Sequence, residues 1–308
     1  MTAALNNVNA GRRVHHVICL VLGITMLLAW NTWITCVALF RAKLAGTGLE
    51  TTFEAWLSFV FSTANLATLT LLMLARIPLG SVRLPLARSL ASLSSSVKVT
   101  AGLVTNACVF IAMVVLSKTP LDASLFFSLA LGLVGLSAIA GALMASVMAI
   151  VSELHPFYAQ CVSMGQGIAG LVPSVVALFA PSGSHASSPS MTPFYVSIAF
   201  SLLSLVGLNA LPATPSECGF AEVSLKRMEE DEDIMDPDDT THDESACLKR
   251  VLWKTREFSA AMLIDFTLTL AVFPPLTVSV LPVSPHWDKS VFTAVMFIVF
   301  NVGDLVGK

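Results

Sequence analysis

The chain has 308 residues, of which 55% are hydrophobic and only 12% charged, about half the charged share of an ordinary soluble domain. With a mean hydropathy of +0.79, this composition excludes a soluble globular protein and predicts an all-α polytopic membrane protein. The net charge of −3 says little, because 13 of the 20 acidic residues lie between Glu217 and Glu257.

Residues 1–13 are polar, end in Arg12-Arg13 and precede an apolar run over 14–40. That run is too long for the apolar region of a signal peptide, so it reads as an uncleaved first span. Further apolar stretches predict spans over 55–75, 97–116, 125–151, 156–180 and 194–211, and then over 258–281 and 290–308. Eight spans follow, six before a long polar stretch and two after it. The Lys and Arg residues decide the orientation. With a cytosolic N-terminus, 13 of them fall on the inner side, and Arg41, Lys43, Lys118 and Lys289 on the outer.

Residues 212–257 contain Glu229-Glu-Asp-Glu-Asp233 and Asp236-Pro-Asp-Asp239. Such a block has too little apolar surface to offset chain entropy, and predicts a disordered cytosolic loop. The expected organisation is a cytosolic N-terminus (1–13), a six-span bundle (14–211), the acidic loop (212–257) and the start of a second bundle (258–308). Two helical halves with a solute path between them are the layout of many secondary transporters. Small residues crowd the fourth and fifth spans, notably Gly165-Gln-Gly-Ile-Ala-Gly170, where they let helix backbones approach closely in lipid. Gln166 points either into a cavity or across to another helix.

The last span carries polar groups at regular spacing. At about 100° per residue, Phe297, Asn301, Asp304 and Lys308 fall within an arc of roughly 60°. One helix face thus bears an aromatic ring, an amide, a carboxylate and an ammonium group. A charge at membrane depth costs on the order of 2.5–3.5 kcal/mol on insertion scales, so this face is expected to look into protein or water and not into lipid. Asp304 and Lys308 read either as ligands for a solute or as a bridge between helices. Asp265 in the seventh span reads as a proton-coupling group, a packing partner or a residue of an inner water crevice.

No nucleophile–base pair, phosphate loop or Cys/His set with metal-ligand spacing occurs. An enzyme, a metal, a cofactor and a nucleic-acid partner are therefore not expected. The six cysteines read as small buried hydrophobes and reduced loop thiols.

Five stretches together resemble one family. Leu22-Gly-Ile-Thr-Met-Leu-Leu-Ala-Trp-Asn31 resembles the first span of the equilibrative nucleoside transporters. Arg76-Ile-Pro-Leu-Gly-Ser-Val-Arg83 looks like their basic loop after span two, and Ser163-Met-Gly-Gln-Gly-Ile-Ala-Gly170 is similar to their span-five glycine run. Phe266-Thr-Leu-Thr-Leu-Ala-Val-Phe-Pro274 is similar to their span seven. Phe297 to Lys308, with Asn301 and Asp304, resembles their span-eight signature.

The resemblance implies a major-facilitator-like helical bundle of eleven spans, in a lipid bilayer, carrying nucleosides or nucleobases. It implies substrate contacts from Leu27, Trp30, Asn31, Ile34, Phe273, Phe297, Asn301, Asp304 and Lys308. Gly165, Gln166, Gly170 and Pro274 are then helix-packing or gating residues. Ala29 stands where the family usually has Pro, Ala145 where many members have Gln, and Lys308 where the family has Arg. Eight of the eleven spans are present, which reads as a truncated gene product or a fragment. The expected activity is facilitative alternating access at the plasma membrane, with proton coupling open. The alternatives are a non-transporting membrane protein or assembly partner, and a carrier of another small polar solute.

Overall fold

The computed structural model describes residues 2–74, 89–90, 92–154, 156–179, 191–211, 253–258, 260–261, 264, 268, 280, 282–283 and 289–307. They form α1 (Thr2–Thr35), α2 (Val37–Leu44), α3 (Phe53–Leu74), α4 (Ser95–Lys118) and α5 (Ala123–Met144). Then come α6 (Val147–Leu154), α7 (Pro156–Phe179), α8 (Thr192–Leu208) and α9 (Lys289–Gly307). The described part is an all-helical bundle, as the composition predicts.

Five stretches among the described residues are long and apolar enough to cross a membrane: Arg13–Thr35, Phe53–Leu74, Ser95–Lys118, Ala123–Ser152 and Pro156–Val176. Thr192–Leu208 and Val291–Gly307 are shorter apolar helices, at the positions of the sixth and eighth expected spans. Most of the expected seventh span and most of the acidic loop lie outside the described residues.

Three boundaries differ from expectation. Helix α1 begins at Thr2, so the polar leader continues the first span as helix. That span then stops at Thr35 and resumes as α2. At the join the Leu39 N–H bonds the Cys36 carbonyl at 3.1 Å, a three-residue step, and the Thr35 hydroxyl donates to the carbonyls of Asn31 (2.9 Å) and Thr32 (3.1 Å). The fourth span divides at Ala145-Ser146, where Ser146 N–H bonds the Leu143 carbonyl at 3.1 Å. This three-residue step tightens the turn and re-aims the chain into α6.

Local chemistry sets other ends. Ser94 caps α4 by accepting from the Val97 N–H, and Asp122 caps α5 by accepting from the Ser124 N–H at 3.0 Å, each satisfying an orphan donor of a first turn. Pro156 begins α7, where its missing N–H removes no helical bond.

Two apolar clusters stack along the bundle. One is aromatic: Trp33 is ringed by Phe40, Phe110 and Phe194, while Phe53 and Phe126 pack on Phe40. The other joins Cys19, Leu22, Leu103, Met144 and Val162 around Tyr158. Helix α3 stands at the rim, resting mainly on α5, with Phe59, Leu66 and Met73 exposed.

Helices α1 and α7 meet through glycine. A Cβ on Gly23 would strike the Val162 carbonyl, and one on Gly165 would strike the Leu20 carbonyl. The two backbones touch with no side chain between them, the close approach that small residues permit in lipid.

Candidate functional site

The polar stripe of the last span lies on α9, and α9 packs chiefly on α7. At the top of the stripe Phe297 is only 2% exposed and sits in one cluster with Ile34 and Trp30 of α1. Trp30 in turn tilts against Phe61 of α3, with ring centroids 4.8 Å apart. Ile34 lies four residues beyond Trp30, so the two share a helix face. An aromatic and aliphatic clamp therefore joins the first helix to the last described one.

One turn further along, Asn301 is 8% exposed and donates from Nδ2 to the Phe297 carbonyl at 2.7 Å. Its amide fills the space over Gly170, where any Cβ would overlap it. Asp304 is exposed, and its Oδ2 stands 3.6 Å from where a Gly167 Cβ would be. Leu305 covers the same glycine. Phe297, Asn301 and Asp304 thus descend about 10 Å of α9 along the glycine face of α7.

Asn31 is buried on α1 and donates from Nδ2 to the Leu27 carbonyl at 3.0 Å, which uses one of its two N–H groups. Leu27 is 40% exposed, one turn before Asn31. Gln166 donates toward the Met26 sulfur of α1 at 3.7 Å. Gly165 lies in the α1–α7 crossing and Gly170 beneath Asn301. Phe273, Pro274 and Lys308 lie outside the described residues, as does Asp265.

A second set of residues escaped the sequence reading. Thr25 shares a hydrogen bond with Ser204 at 2.7 Å, and Thr32 one with Ser197 at 2.6 Å. All four side chains are buried, and Ser201 adds a bond to the Ser197 carbonyl at 2.8 Å. The signal was available as Thr at i and i+7 in one span, and Ser at i, i+4 and i+7 in another.

Chemically, the α1–α7–α9 junction offers flat apolar faces at one level, then an amide, then a carboxylate that accepts hydrogen bonds. Among the described residues no group of three or more His, Cys, Asp and Glu is fit to hold a metal ion.

A family model described as "Nucleoside transporter" matches residues 131–308. The human protein "Equilibrative nucleoside transporter 1" is 25% identical over 241 residues, covering 69% of this chain and 52% of its own length. The mouse "Equilibrative nucleoside transporter 2" is 24% identical over 347 residues, covering 97% of this chain and 75% of its own. The human form of the latter is 23% identical over 330 residues, with 94% and 72% covered. The chain thus spans about half the length of the first of these relatives and about three quarters of the other two. The family match covers more than half of the sequence, and it takes in the α7 glycine face and the whole α9 stripe: the chain belongs to the nucleoside transporter family and is an integral, multi-pass membrane protein.

Proposed function

We propose that the protein is a facilitative alternating-access carrier of nucleosides or nucleobases, with its solute bound between α1, α7 and α9. The observation that carries this reading is the seating of Phe297 against Trp30 and Ile34, with Asn301 and Asp304 continuing down the same helix face. A nucleoside joins a flat base to a hydroxyl-rich sugar. Trp30, Phe297 and Phe273 supply faces for the base, with Leu27 and Ile34 lining its side. Asp304 accepts from sugar hydroxyls, while Asn31, Asn301 and Lys308 donate. The names of the relatives support the same solute class.

In this reading residues 14–211 form one half and 258–308 begin the other, joined by the acidic loop at 212–257. The N-terminus is cytosolic and the host membrane is the plasma membrane; the distribution of Lys and Arg supports that orientation. Proton coupling through Asp265 is an added element, read as a dependence of uptake on external pH.

The test is uptake of labelled adenosine and uridine by cells that lack their own nucleoside carriers. Asp304→Asn removes the charge on the acceptor, and hydrogen bonds to charged groups contribute about 1.5–3 kcal/mol. Uptake is expected to fall roughly 10- to 100-fold at unchanged surface expression. Unlabelled nucleosides, and neither sugars nor amino acids, are expected to compete. Uptake that survives Asp304→Asn, or competition by a sugar, ends this reading.

A further inference from the structure

Helix α1 has two faces with different partners. Trp30 and Ile34 meet Phe297 of α9, and Gly23 meets the α7 backbone. On the other side Thr25 and Thr32 meet Ser204 and Ser197 of α8 at 2.7 and 2.6 Å. At 100° per residue Thr25 and Thr32 are about 20° apart, while Trp30 and Ile34 lie roughly 140–180° around the helix from them. The hydroxyl bridges therefore stand almost diametrically opposite the face that clamps Phe297.

We infer that Thr25, Thr32, Ser197 and Ser204 are positioning residues that fix the rotation of α1, and so decide which of its side chains are presented to α9. Three observations support this. The bridges are two, seven residues apart on one helix and seven on the other, so they resist both rolling and sliding. Each is buried, where no water replaces a lost partner. Each also has a supporting bond: Thr25 Oγ1 donates to the Val21 carbonyl at 2.9 Å, and Ser197 Oγ to the Pro193 carbonyl at 3.0 Å. The hydroxyls thereby hold a defined rotamer and a defined direction. An apolar contact at the same places would hold the helices together while leaving their rotation free. A turn of about 30° would carry Trp30 away from Phe297, and no other side chain at that level of α1 is aromatic except Trp33, which is committed to the aromatic cluster.

The inference rests on the proposed solute site for its importance to transport, but its test does not use transport. Ile34→Cys and Phe297→Cys are combined in one full-length chain, and the rate of their oxidative cross-linking is measured in membranes. The link is read as two fragments held together after proteolytic cutting between residues 212 and 257. Adding Thr25→Val and Thr32→Val is expected to slow cross-linking at least fivefold. Adding Thr32→Ser and Ser197→Thr, which keep both hydroxyls, is expected to leave the rate within twofold of the parent. An unchanged rate in the valine variant overturns the inference, and so does an equal slowing in the hydroxyl-preserving swap. Should the valine variant not fold, Ser197→Ala alone removes one bridge and leaves Thr25–Ser204 in place. A parental rate there overturns the inference equally, and a slowed rate supports it. A slowed cross-link with failed nucleoside uptake in the parent protein would sink the transport reading alone.

Discussion

Helices α3 and α7 are both apolar enough to cross a membrane, yet the more apolar of the two, α3, is the less buried. Helix α3 carries Trp56, Phe59, Leu66 and Met73 on an exposed face and touches mainly α5. Helix α7 carries Gly165, Gly167 and Gly170, and packs against α1, α6, α8 and α9. In water the more apolar helix would be the one at the centre. In lipid the surroundings are as apolar as leucine, so hydrophobicity marks what faces the bilayer and small residues mark what faces protein. The site follows the glycines.

The strongest way to break this contrast is to give α7 a side chain where it touches backbone. Gly165→Leu sets carbons on the Leu20 carbonyl, which cannot swing aside. Loss of folded protein on size-exclusion chromatography is expected, beyond the roughly 1–3 kcal/mol of ordinary overpacking. Gly170→Ala is milder, because the group in its way is the Asn301 side chain, and a side chain has other rotamers. Thermal stability is expected to fall by about 1–3 kcal/mol, with nucleoside uptake losing affinity before maximal rate. Equal loss of both would point to general unfolding.

A smaller effect belongs to the loop that starts α5, the helix on which α3 rests. Bonds from the Ser124 hydroxyl and N–H hold the Asp122 carboxyl below its ordinary value. A depressed folded-state value means the stabilisation is present above the unfolded value and is lost as pH falls through the folded one. Melting temperature in detergent is expected to drop slightly more on acidification below the ordinary carboxylate range in the parent than in Asp122→Asn. Parallel curves would remove Asp122 from the account. The smallest effect is expected at the rim: Leu66→Ala on the exposed face of α3 is predicted to change stability by less than about 0.5 kcal/mol. A loss of several times that would mean α3 has a protein neighbour on that side.

What could be read from the chain alone divides along similar lines. The stripe Phe297, Asn301, Asp304 was legible because its spacing is helical and its charge is out of place in an apolar run. That Trp30 and Ile34 lie opposite it came from resemblance to a family, since nothing in their local pattern distinguishes them from membrane-core residues. The hydroxyl bridges were not legible. Serine and threonine in apolar helices satisfy themselves on the carbonyl four residues back, as Ser128 and Thr68 do here, so their presence does not reveal which of them reach across to a neighbour. The break after Thr35 was hidden for a related reason: its apolar run continues unbroken, and the step shows only in the backbone, where the Leu39 N–H bonds the Cys36 carbonyl at 3.1 Å. The split at Ala145 has no breaker residue at all. Burial was legible only in part: the glycines mark α7 as a packed helix, while nothing in the apolar run of α3 tells which of its faces is exposed.

The crossing of Gly23 over Gly165 has a further consequence. Where two main chains lie directly against each other no rotamer can adjust their spacing, so this joint sets how far apart α1 and α7 stand and leaves the rotation of α1 to its other contacts. The seam that Asn301 and Leu305 make with Gly170 and Gly167 is of the other kind, with side chains as the spacer.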